Sequence, residues 1–535
     1  MIQNLADPIY HAARFYGNRT AIVAGAMRTS FDKMADRCGR IARIMFDLDL
    51  EVGDRIAILS LNSQQYIEMY MALPAAGFAI VPLNTRHKET ELSYVLKDSG
   101  AKVLLTDRDP GNLASLVEHV ISIPQDYERL LAEVAALELG CAITPNTIAG
   151  LFYTGGTTGH SKGVMLTHKN LIANSENWNS IVEPQADDVF GVIAPLFHAA
   201  GSNSIISSIY SGGTQVVIPQ FISPDVLDVM ENTKITQTLV VPSMLASLAQ
   251  DQIHKSRNLS NLRTLAHGGS PITTAVIKEA IRAFPSTELI HLYGTTETSP
   301  LATSLRNEED LADTGLWYSC GQALPGVDIR VIDKDGGELA DSEVGQIAIA
   351  GANVMKGYWN KPEATAEVIM EDGGFRTGDL GKLTSEGYLS ITGRVKSQFK
   401  LENGKYVSPS SLEENLKLSP LVEQCVLDGR DMRHTFLIIH PSMDALRAKL
   451  KEAGITASDD NEALCNDQSV REWLLEHLKT NNMTAPKWKG YEIARHLILD
   501  ASEWTTDNDM LTPSMKVKLR NLLAKHKDEI SNISS

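Results

Sequence analysis

The chain has 535 residues, with 49 basic and 66 acidic side chains and a formal net charge of −17. This acidity argues against general nucleic-acid binding, which needs basic surface to neutralise phosphates, and a hydrophobic fraction of 43% argues against disorder as the main state. The five cysteines are odd in number and form no C-x-x-C pair, which argues against a disulfide framework or zinc site and predicts a reducing, cytoplasmic location.

The first half of the chain alternates helical patterns with short apolar runs. Helices are expected at residues 63–73 and 89–100, the second ending on Gly100, a residue type preferred just past a helix. Strands are expected at residues 55–60, 79–83, 102–107, 215–219, 235–242, 261–269 and 287–294. This rhythm predicts an α/β fold with parallel sheets flanked by helices.

Residues 189–224 contain no Asp, Glu, Lys or Arg. A membrane-spanning helix needs about 20 mostly apolar residues, and here prolines, His198, SGG (211–213) and GSNS (201–204) interrupt the run. We therefore predict a buried strand, a short helix and another buried strand, with no transmembrane segment. Residues 1–17 also lack the apolar core of a signal peptide.

The pattern changes after about residue 320. Short strands with Gly and Asp turns are expected at residues 327–336, 345–351 and 387–394, which predicts a small β-rich unit. The chain then becomes charged and helical at residues 410–419, 444–454, 471–480 and 516–530. We place the boundary so that residues 1–393 form an N-terminal domain and residues 394–535 form a C-terminal domain of ordinary size.

A glycine-rich loop is the strongest local feature. An apolar strand runs into TGGTTGHSKG, residues 154–163, whose glycines free backbone N–H groups to turn inward and whose Lys162 adds a positive charge. The loop is not a Walker A motif, because Ser161 precedes the lysine and Gly163 follows it. It predicts phosphate binding, with a flexible surface turn as the alternative.

Further motifs follow in a fixed order. They are YGTTETSP (293–300), FRTGDLGKL (375–383), GYLSITGRVK (387–396) and LTPSMKVKLRNLL (511–523), with weaker ones at 194–201, 267–272 and 357–365. Together with the glycine-rich loop they resemble the adenylate-forming superfamily of acyl- and aryl-CoA synthetases, peptide-synthetase adenylation domains and firefly-type luciferases. The resemblance implies a large N-terminal body with a small β-rich unit, followed by a mobile α+β C-terminal domain.

The resemblance also implies a two-step reaction and its nucleotide contacts. A carboxylate attacks the α-phosphate of Mg-ATP, and a thiol, usually that of coenzyme A, then displaces AMP. Glu297 would bind Mg²⁺, Thr296 would contact the α-phosphate and Tyr293 would stack on adenine. The remaining implied nucleotide contacts are Thr154, Thr157, Thr158, Lys162, Gly268, Gly269 and Ser270.

Other implied roles concern the acid, the ribose and the C-terminal domain. His198, His267 and Gly268 would line the acyl pocket, although a core position is an equal alternative for His198. Asp379 would accept hydrogen bonds from the ribose hydroxyls, Arg394 would reach the ribose or phosphate, and Lys396 would be the hinge. These residues follow from the family motifs and not from spacing alone.

The implied catalytic lysine is Lys516, which would bridge the carboxylate and α-phosphate oxygens. Lys518 is a nearby competitor, and Met515 stands where the family usually has glycine. The thiol-acceptor region around Lys400 and Gly404 has one extra residue before the glycine, as in loops of long-chain fatty acyl-CoA synthetases. Ser411 also replaces the usual Glu, which leaves the contacts of the acceptor open.

These observations predict an ATP- and Mg²⁺-dependent ligase that joins a carboxylic acid to coenzyme A. The preferred acid would be apolar, either a medium- or long-chain fatty acid or an arylalkanoate. One alternative is an adenylating enzyme that delivers the acyl group to a carrier-protein phosphopantetheine. Another is a non-catalytic nucleotide-binding regulator. The partners expected are small molecules and not nucleic acid, and the sequence leaves a homodimer open.

Overall fold

The computed structural model describes residues 2–141, 143–155, 161–306, 316, 319–484, 488–505, 507–511 and 517–534. The chain divides into two compact units. The first comprises Met1–Glu343, Ile347–Thr377 and Leu383–Ser390, and the second comprises Val344–Gln346, Gly378–Lys382 and Ile391–Ser535. The second unit therefore includes two short internal stretches that the sequence-based division assigned to the N-terminal domain.

The strands of the described residues are numbered in chain order. They are β1 Thr20–Ala24, β2 Met27–Ser30, β3 Arg55–Leu59, β4 Ala79–Pro82, β5 Val103–Thr106, β6 His119–Ser122, β7 Ile148–Thr154, β8 Lys162–Thr167, β9 Val189–Val192, β10 Thr214–Val217, β11 Gln237–Val240, β12 Thr264–Gly268, β13 Glu288–Tyr293, β14 Thr303–Arg306, β15 Gln322–Ala323, β16 Val327–Ile332, β17 Gly345–Gly351, β18 Gly357–Tyr358, β19 Phe375–Leu383, β20 Leu389–Arg394, β21 Phe399–Lys400, β22 Tyr406–Val407, β23 Val422–Asp428, β24 Phe436–Pro441 and β25 His496–Leu499.

The α-helices of the same residues are numbered likewise. They are α1 Ala6–Tyr16, α2 Phe31–Asp47, α3 Gln64–Ala75, α4 Glu89–Ser99, α5 Gln125–Glu133, α6 His168–Val182, α7 Asn203–Ser211, α8 Ser223–Thr233, α9 Pro242–His254, α10 Thr274–Ala283, α11 Pro362–Val368, α12 Pro409–Leu416, α13 Met443–Glu452, α14 Asn461–Asn466, α15 Gln468–Asn481, α16 Leu519–Lys525 and α17 Lys527–Ser534.

The α/β architecture predicted from the sequence is confirmed. The seven expected strands of the first half correspond to β3, β4, β5, β10, β11, β12 and β13. Helix α4 ends at Gly100, whose φ of 61° lies in the left-handed region that favours glycine. The uncharged stretch forms β9, α7 and β10 as expected, and within the described residues no helix combines the length and apolarity that crossing a membrane requires.

The helical pattern expected at residues 516–530 is confirmed from Leu519 onward, where the chain forms α16 and α17 with His526 as a turn residue between them. The His526 ring contacts two carboxylates at once, with Nε2 3.1 Å from Asp500 Oδ2 and Nδ1 3.1 Å from Glu529 Oε1. His526 therefore links the last two helices to Asp500, the residue that follows β25.

Two large sheets organise the first unit. Their described strands run in the orders β15-β14-β13-β12-β11-β9-β10-β1-β2 and β18-β8-β7-β4-β3-β5-β6. Strands β4, β3, β5 and β6 pair in parallel, whereas β7 and β8 form an antiparallel pair. Smaller sheets have the orders β16-β17-β19-β20, β21-β22 and β23-β24-β25.

Helix α3 shows how the first unit encloses its core. Ser63 caps the helix by accepting the N–H of Tyr66 at 3.1 Å, and every residue of the helix is buried. Its Glu68 is fully buried and forms an ion pair with Arg37 at 2.6 Å. Burying such an ion pair costs free energy of desolvation. The apolar residues of α3, and not the pair, therefore account for the stability of the helix in the core.

Candidate functional site

The β7–β8 hairpin holds the base of the glycine-rich loop. Thr154 ends β7 and Lys162 begins β8, and the two residues are register partners in the antiparallel pair. A Cβ at Gly163 would lie 3.0 Å from the Tyr153 ring, so a larger residue there would force the ring away. Thr157 and Thr158, predicted to bind phosphate, lie outside the described residues.

Helix α4 anchors the strand that leads into this loop. The Tyr153 hydroxyl donates a hydrogen bond to Asp98 Oδ2 at 2.7 Å, and Lys361 Nζ lies 3.3 Å from the other oxygen of the same carboxylate. Burial, and then the nearby Asp98 carboxylate, raises the pKa of Tyr153, so the phenol stays a donor. No local pattern indicated a role for Asp98, because it lies 55 residues from its tyrosine partner.

The turn that carries Thr296 and Glu297 is closely packed. A Cβ at Gly294 would lie 1.7 Å from the Pro300 carbonyl oxygen, so this position requires glycine. The Asn353 amide donates to the Thr298 carbonyl at 3.2 Å and to the Leu301 carbonyl at 2.6 Å. Thr296 and Glu297 are half-buried, and the residues that follow them are held by an asparagine that the sequence analysis missed.

Tyr358 connects this turn to the glycine-rich loop. Its hydroxyl donates to Glu297 Oε1 at 2.8 Å, and Lys162 Nζ lies 4.6 Å from the centroid of its ring. Burial, and then the Glu297 carboxylate, raises the pKa of Tyr358. Two predicted site residues, Lys162 and Glu297, thus contact the same tyrosine. In the sequence this tyrosine belonged only to the weak motif at residues 357–365.

The surroundings of Glu297 fit a magnesium ion that arrives with a nucleotide. In the described part of the chain, Oε1 is the carboxylate oxygen that accepts a hydrogen bond, which leaves Oε2 as a potential ligand. No cluster of three or more His, Cys, Asp or Glu side chains that could hold a metal occurs among those residues. Mg²⁺ commonly uses one or two carboxylates together with phosphate oxygens and waters, so a single carboxylate suffices here.

The predicted residues of β12 and β13 are largely enclosed. His267 has no exposed surface and stacks on His291, with ring centroids 5.0 Å apart. A Cβ at Gly268 would lie 2.4 Å from the Leu292 carbonyl oxygen, and Gly269 has a φ of 85°. Gly269 and Ser270 are exposed, and Tyr293 is buried at the end of β13. The exposed members of this group are therefore those that follow β12.

His198 occupies a different environment from His267. Its side chain is exposed to solvent, yet surrounding protein and then Arg86 and His87 lower its pKa to about 4. A side chain that solvent reaches, but whose charged form is disfavoured by the surrounding protein atoms, is typical of a cleft. A Cβ at Gly201 would lie 2.3 Å from the Pro195 carbonyl oxygen, so this glycine closes the loop that carries His198.

The second unit pairs two predicted site residues with each other. Arg394 Nε lies 2.7 Å from Asp379 Oδ1, and the arginine side chain is 53% exposed whereas the aspartate side chain is only 4% exposed. Gly378, with a φ of 75°, precedes the aspartate in a conformation that other residues rarely adopt. The aspartate predicted to receive ribose hydroxyls therefore already has a charged partner.

The hinge and acceptor residues also lie in the second unit. Lys396 is exposed in a short 3₁₀ turn, Val395–Ser397, and Lys400 is exposed at the end of β21. Gly404 lies in the turn between β21 and β22, where its N–H donates to the Leu401 carbonyl at 2.9 Å. The extra residue of this segment thus belongs to an exposed hairpin turn.

Lys516, the predicted catalytic lysine, lies outside the described residues. Its competitor Lys518 forms an ion pair with Asp509, and its backbone N–H donates to the Met510 carbonyl at 2.8 Å. Lys518 is therefore already engaged by a carboxylate next to it.

A cavity of about 790 Å³ lies elsewhere in the first unit. Its lining includes Arg37, Gln64, Asp107 and Glu128, and none of the predicted site residues is among its lining residues. Arg37 contacts Glu68 at 2.6 Å and Glu128 at 2.7 Å, so the buried cation of this cavity is already neutralised. We do not assign the chemistry to this cavity.

The chain is similar to known proteins over most of its length. A sequence profile described as an AMP-binding enzyme matches residues 9–359. A feruloyl-CoA synthase from Amycolatopsis is 32% identical over 436 residues, which cover 80% of this chain and 86% of that protein. The fatty acid–[acyl-carrier-protein] ligase ScoC of Streptomyces coeruleorubidus is 29% identical, with 82% of this chain and 87% of that protein covered. The crystal structure of ATP-bound MatB from Rhodopseudomonas palustris matches with a TM-score of 0.82 at 25% identity, over 98% of this chain and 99% of that chain.

Proposed function

The chain belongs to the AMP-binding enzyme family and is an AMP-forming acid–thiol ligase, and on this premise we propose that it joins an apolar carboxylic acid to coenzyme A. In the first step a carboxylate oxygen attacks the α-phosphorus of ATP, and pyrophosphate leaves. In the second step the thiol sulfur attacks the acyl carbonyl, and AMP leaves. The observation that carries the proposal is the half-buried arrangement of Lys162 and Glu297 on either side of Tyr358.

The first step brings two anions together, so it requires positive charge and alignment. Lys162 neutralises the β- and γ-phosphates, and Thr154, Thr157 and Thr158 donate hydrogen bonds to them. Glu297 holds Mg²⁺, which when bound supplies charge neutralisation to the phosphate oxygens. The half-burial of Lys162 and Glu297 strengthens both interactions, because less water screens these charges.

Other residues bind and orient the nucleotide. Thr296 donates to an α-phosphate oxygen, and Tyr293 stacks on adenine. Gly268, Gly269 and Ser270 also bind the nucleotide, since the two residues exposed after β12 offer backbone groups at the end of a parallel strand. In the second unit, Asp379 accepts the ribose hydroxyls and Arg394 contacts the ribose or phosphate.

The C-terminal residues act in turn in the two steps. Lys516 bridges the carboxylate and α-phosphate oxygens, a role that suits the compact charge of an ammonium group. Lys396 is the hinge about which the C-terminal domain, residues 394–535, rotates after the adenylate forms. Lys400 and Gly404 then contribute to the region that receives the thiol.

The acid that we propose is a fatty acid of medium or long chain, or an arylalkanoate. The named activities of two relatives support apolar acids, because feruloyl and fatty acyl groups are largely apolar. His198 lies in a cleft-like environment beside Phe197, with ring centroids 4.6 Å apart, and stays neutral at pH 7. We assign His198 to the acyl pocket, since a neutral ring favours an uncharged chain, and we assign His267 and Gly268, which are buried, to the wall that supports it.

Purified protein supplied with Mg-ATP, coenzyme A and a panel of acids tests the proposal. Pyrophosphate and a thioester are expected in equal amounts with apolar acids, and neither product without acid. A protein that releases no pyrophosphate with any acid would contradict the first step. Release of pyrophosphate without consumption of coenzyme A would contradict the second.

A carrier protein is the second candidate for the acceptor. The similarity to ScoC favours it, and so does the extra residue at the acceptor hairpin, Lys400–Gly404. Thioester formation on a holo-carrier protein but not on free coenzyme A would select this alternative. Binding of ATP without turnover would instead favour the non-catalytic regulator. The cytoplasmic location and the homodimer stay predictions.

A further inference from the structure

Tyr358 separates two opposite charges of the nucleotide site. Its hydroxyl donates to Glu297 Oε1 at 2.8 Å, while Lys162 Nζ lies 4.6 Å from its ring centroid. Lys162 and Glu297 thus contact the same side chain, one through its ring and the other through its hydroxyl. The phenol therefore interacts at once with a cation and an anion that attract each other.

A phenol suits this position because its face and its hydroxyl interact with opposite charges. The negative face of an aromatic ring attracts an ammonium group. The hydroxyl donates a strong hydrogen bond to a carboxylate. Lys162 and Glu297 are each stabilised by Tyr358, so neither needs the other as a partner.

The backbone, and not the two charges, fixes the position of Tyr358. Strand β18 pairs with β8, with Tyr358 opposite Val164. The Tyr358 N–H donates to Thr365 Oγ1 at 2.9 Å. Gly357 precedes it with a φ of 143°, and a Cβ there would lie 2.7 Å from Thr365 Cγ2. The tyrosine is therefore held in place before any ligand binds.

We propose that Tyr358 is a positioning residue that keeps Lys162 available for phosphate oxygens and Glu297 available for Mg²⁺. This inference rests on the proposed function. Without the hydroxyl, Glu297 loses its orientation. Without the ring as well, Lys162 and Glu297 pair with each other, and the nucleotide must break that pair in order to bind.

Two variants separate the two contacts of Tyr358. Tyr358→Phe keeps the ring near Lys162 and removes the hydrogen bond to Glu297, whereas Tyr358→Leu removes both. The matched control is Tyr127→Phe, because the Tyr127 hydroxyl donates to the Glu68 carboxylate at 2.9 Å in the same unit. That pair contains no proposed site residue, and thermal unfolding of all three variants monitors folding.

The measurement is the calorimetric affinity for α,β-methylene-ATP, with excess Mg²⁺ and with a chelator. For Tyr358→Phe we expect about tenfold weaker binding with Mg²⁺ and a change of less than about twofold with the chelator. For Tyr358→Leu we expect weaker binding in both conditions. The control should bind as the wild type does in both.

Several results would overturn the inference. Tyr358→Phe could bind as tightly as the wild type with Mg²⁺, or lose equal affinity in the two conditions. The control could lose as much affinity as Tyr358→Phe, which would assign the effect to a general loss of order. If the wild type itself fails to bind the analogue, the proposed function fails together with the inference. If the wild type binds with Mg²⁺ dependence and Tyr358→Phe is unchanged, the inference alone fails.

Discussion

The two units differ in whether their proposed charged site residues form an ion pair with each other. In the first unit, Tyr358 lies between Lys162 and Glu297, and both charges keep some exposure. In the second unit, Asp379 and Arg394 contact each other at 2.7 Å. Lys162 and Glu297 can therefore bind a charged ligand without breaking an ion pair between them. A ligand that binds Asp379 must compete with Arg394 for the carboxylate. The following predictions test this difference, beginning with the largest effect.

The largest effect is expected for Lys516→Ala. Because the proposed role of its ammonium group is to stabilise charge that develops in the first step, adenylation should fall by about 10³-fold while nucleotide affinity stays nearly constant. Pyrophosphate exchange and calorimetry measure the two quantities. The matched control is Lys518→Ala, because Lys518 already pairs with Asp509. If Lys518→Ala lost as much activity and Lys516→Ala lost none, the assignment of the lysine would be reversed.

A smaller effect is expected for Glu297→Gln in the first unit. The amide keeps the size of the side chain and removes the negative charge, so Mg²⁺ is held less strongly and pyrophosphate release should fall by about 10²-fold. The rate measured against Mg²⁺ concentration should shift to higher concentrations. A loss of rate that is equal at every Mg²⁺ concentration would argue against the proposed metal contact.

Asp379→Asn should lower ATP affinity by about tenfold in the second unit, since a hydrogen bond to a charged group is lost. The same change should abolish most of the discrimination against 2′-deoxy-ATP. Arg394→Ala provides the comparison, because it frees the carboxylate without removing it. If Asp379→Asn discriminates against the deoxynucleotide as the wild type does, the ribose is bound elsewhere.

The smallest effect concerns the pH dependence of local stability, which should have opposite signs in the two units. Burial lowers the pKa of His168 to about 4, below its unfolded value, while its Nδ1 accepts the Leu5 N–H at 3.1 Å. Its contribution is therefore present above about pH 6.5 and is lost as the pH falls. Amide exchange near Leu5 should accelerate by about threefold between pH 7 and pH 6, after correction for intrinsic rates.

His526 should respond in the other direction. Although burial alone would lower its pKa, hydrogen bonds to Asp500 and Glu529 raise it above the unfolded value. Its contribution is present below about pH 6.5 and is lost as the pH rises through the raised pKa. Exchange in α17 should therefore accelerate at higher pH. His168→Gln and His526→Gln should each remove the corresponding pH dependence, and acceleration in the same direction at both places would contradict the comparison.

The sequence determined those features that depend on neighbouring residues. Short apolar runs identified seven strands of the two large sheets, Gly100 marked a helix end, and the ordered motifs indicated the family. These signals lie within a few residues of the structure that they specify. For this reason Lys162, Glu297, Asp379 and Arg394 could be proposed as site residues before their contacts were known.

Only the tertiary structure decided which of these residues meet. Tyr358 and Glu297 are 61 residues apart in sequence, and Asn353 lies 55 residues from the Thr298 carbonyl that it holds. Such contacts depend on the order of strands in a sheet, which no local pattern encodes. The contact of His526 with the carboxylate of Asp500, 26 residues away in sequence, is of the same kind.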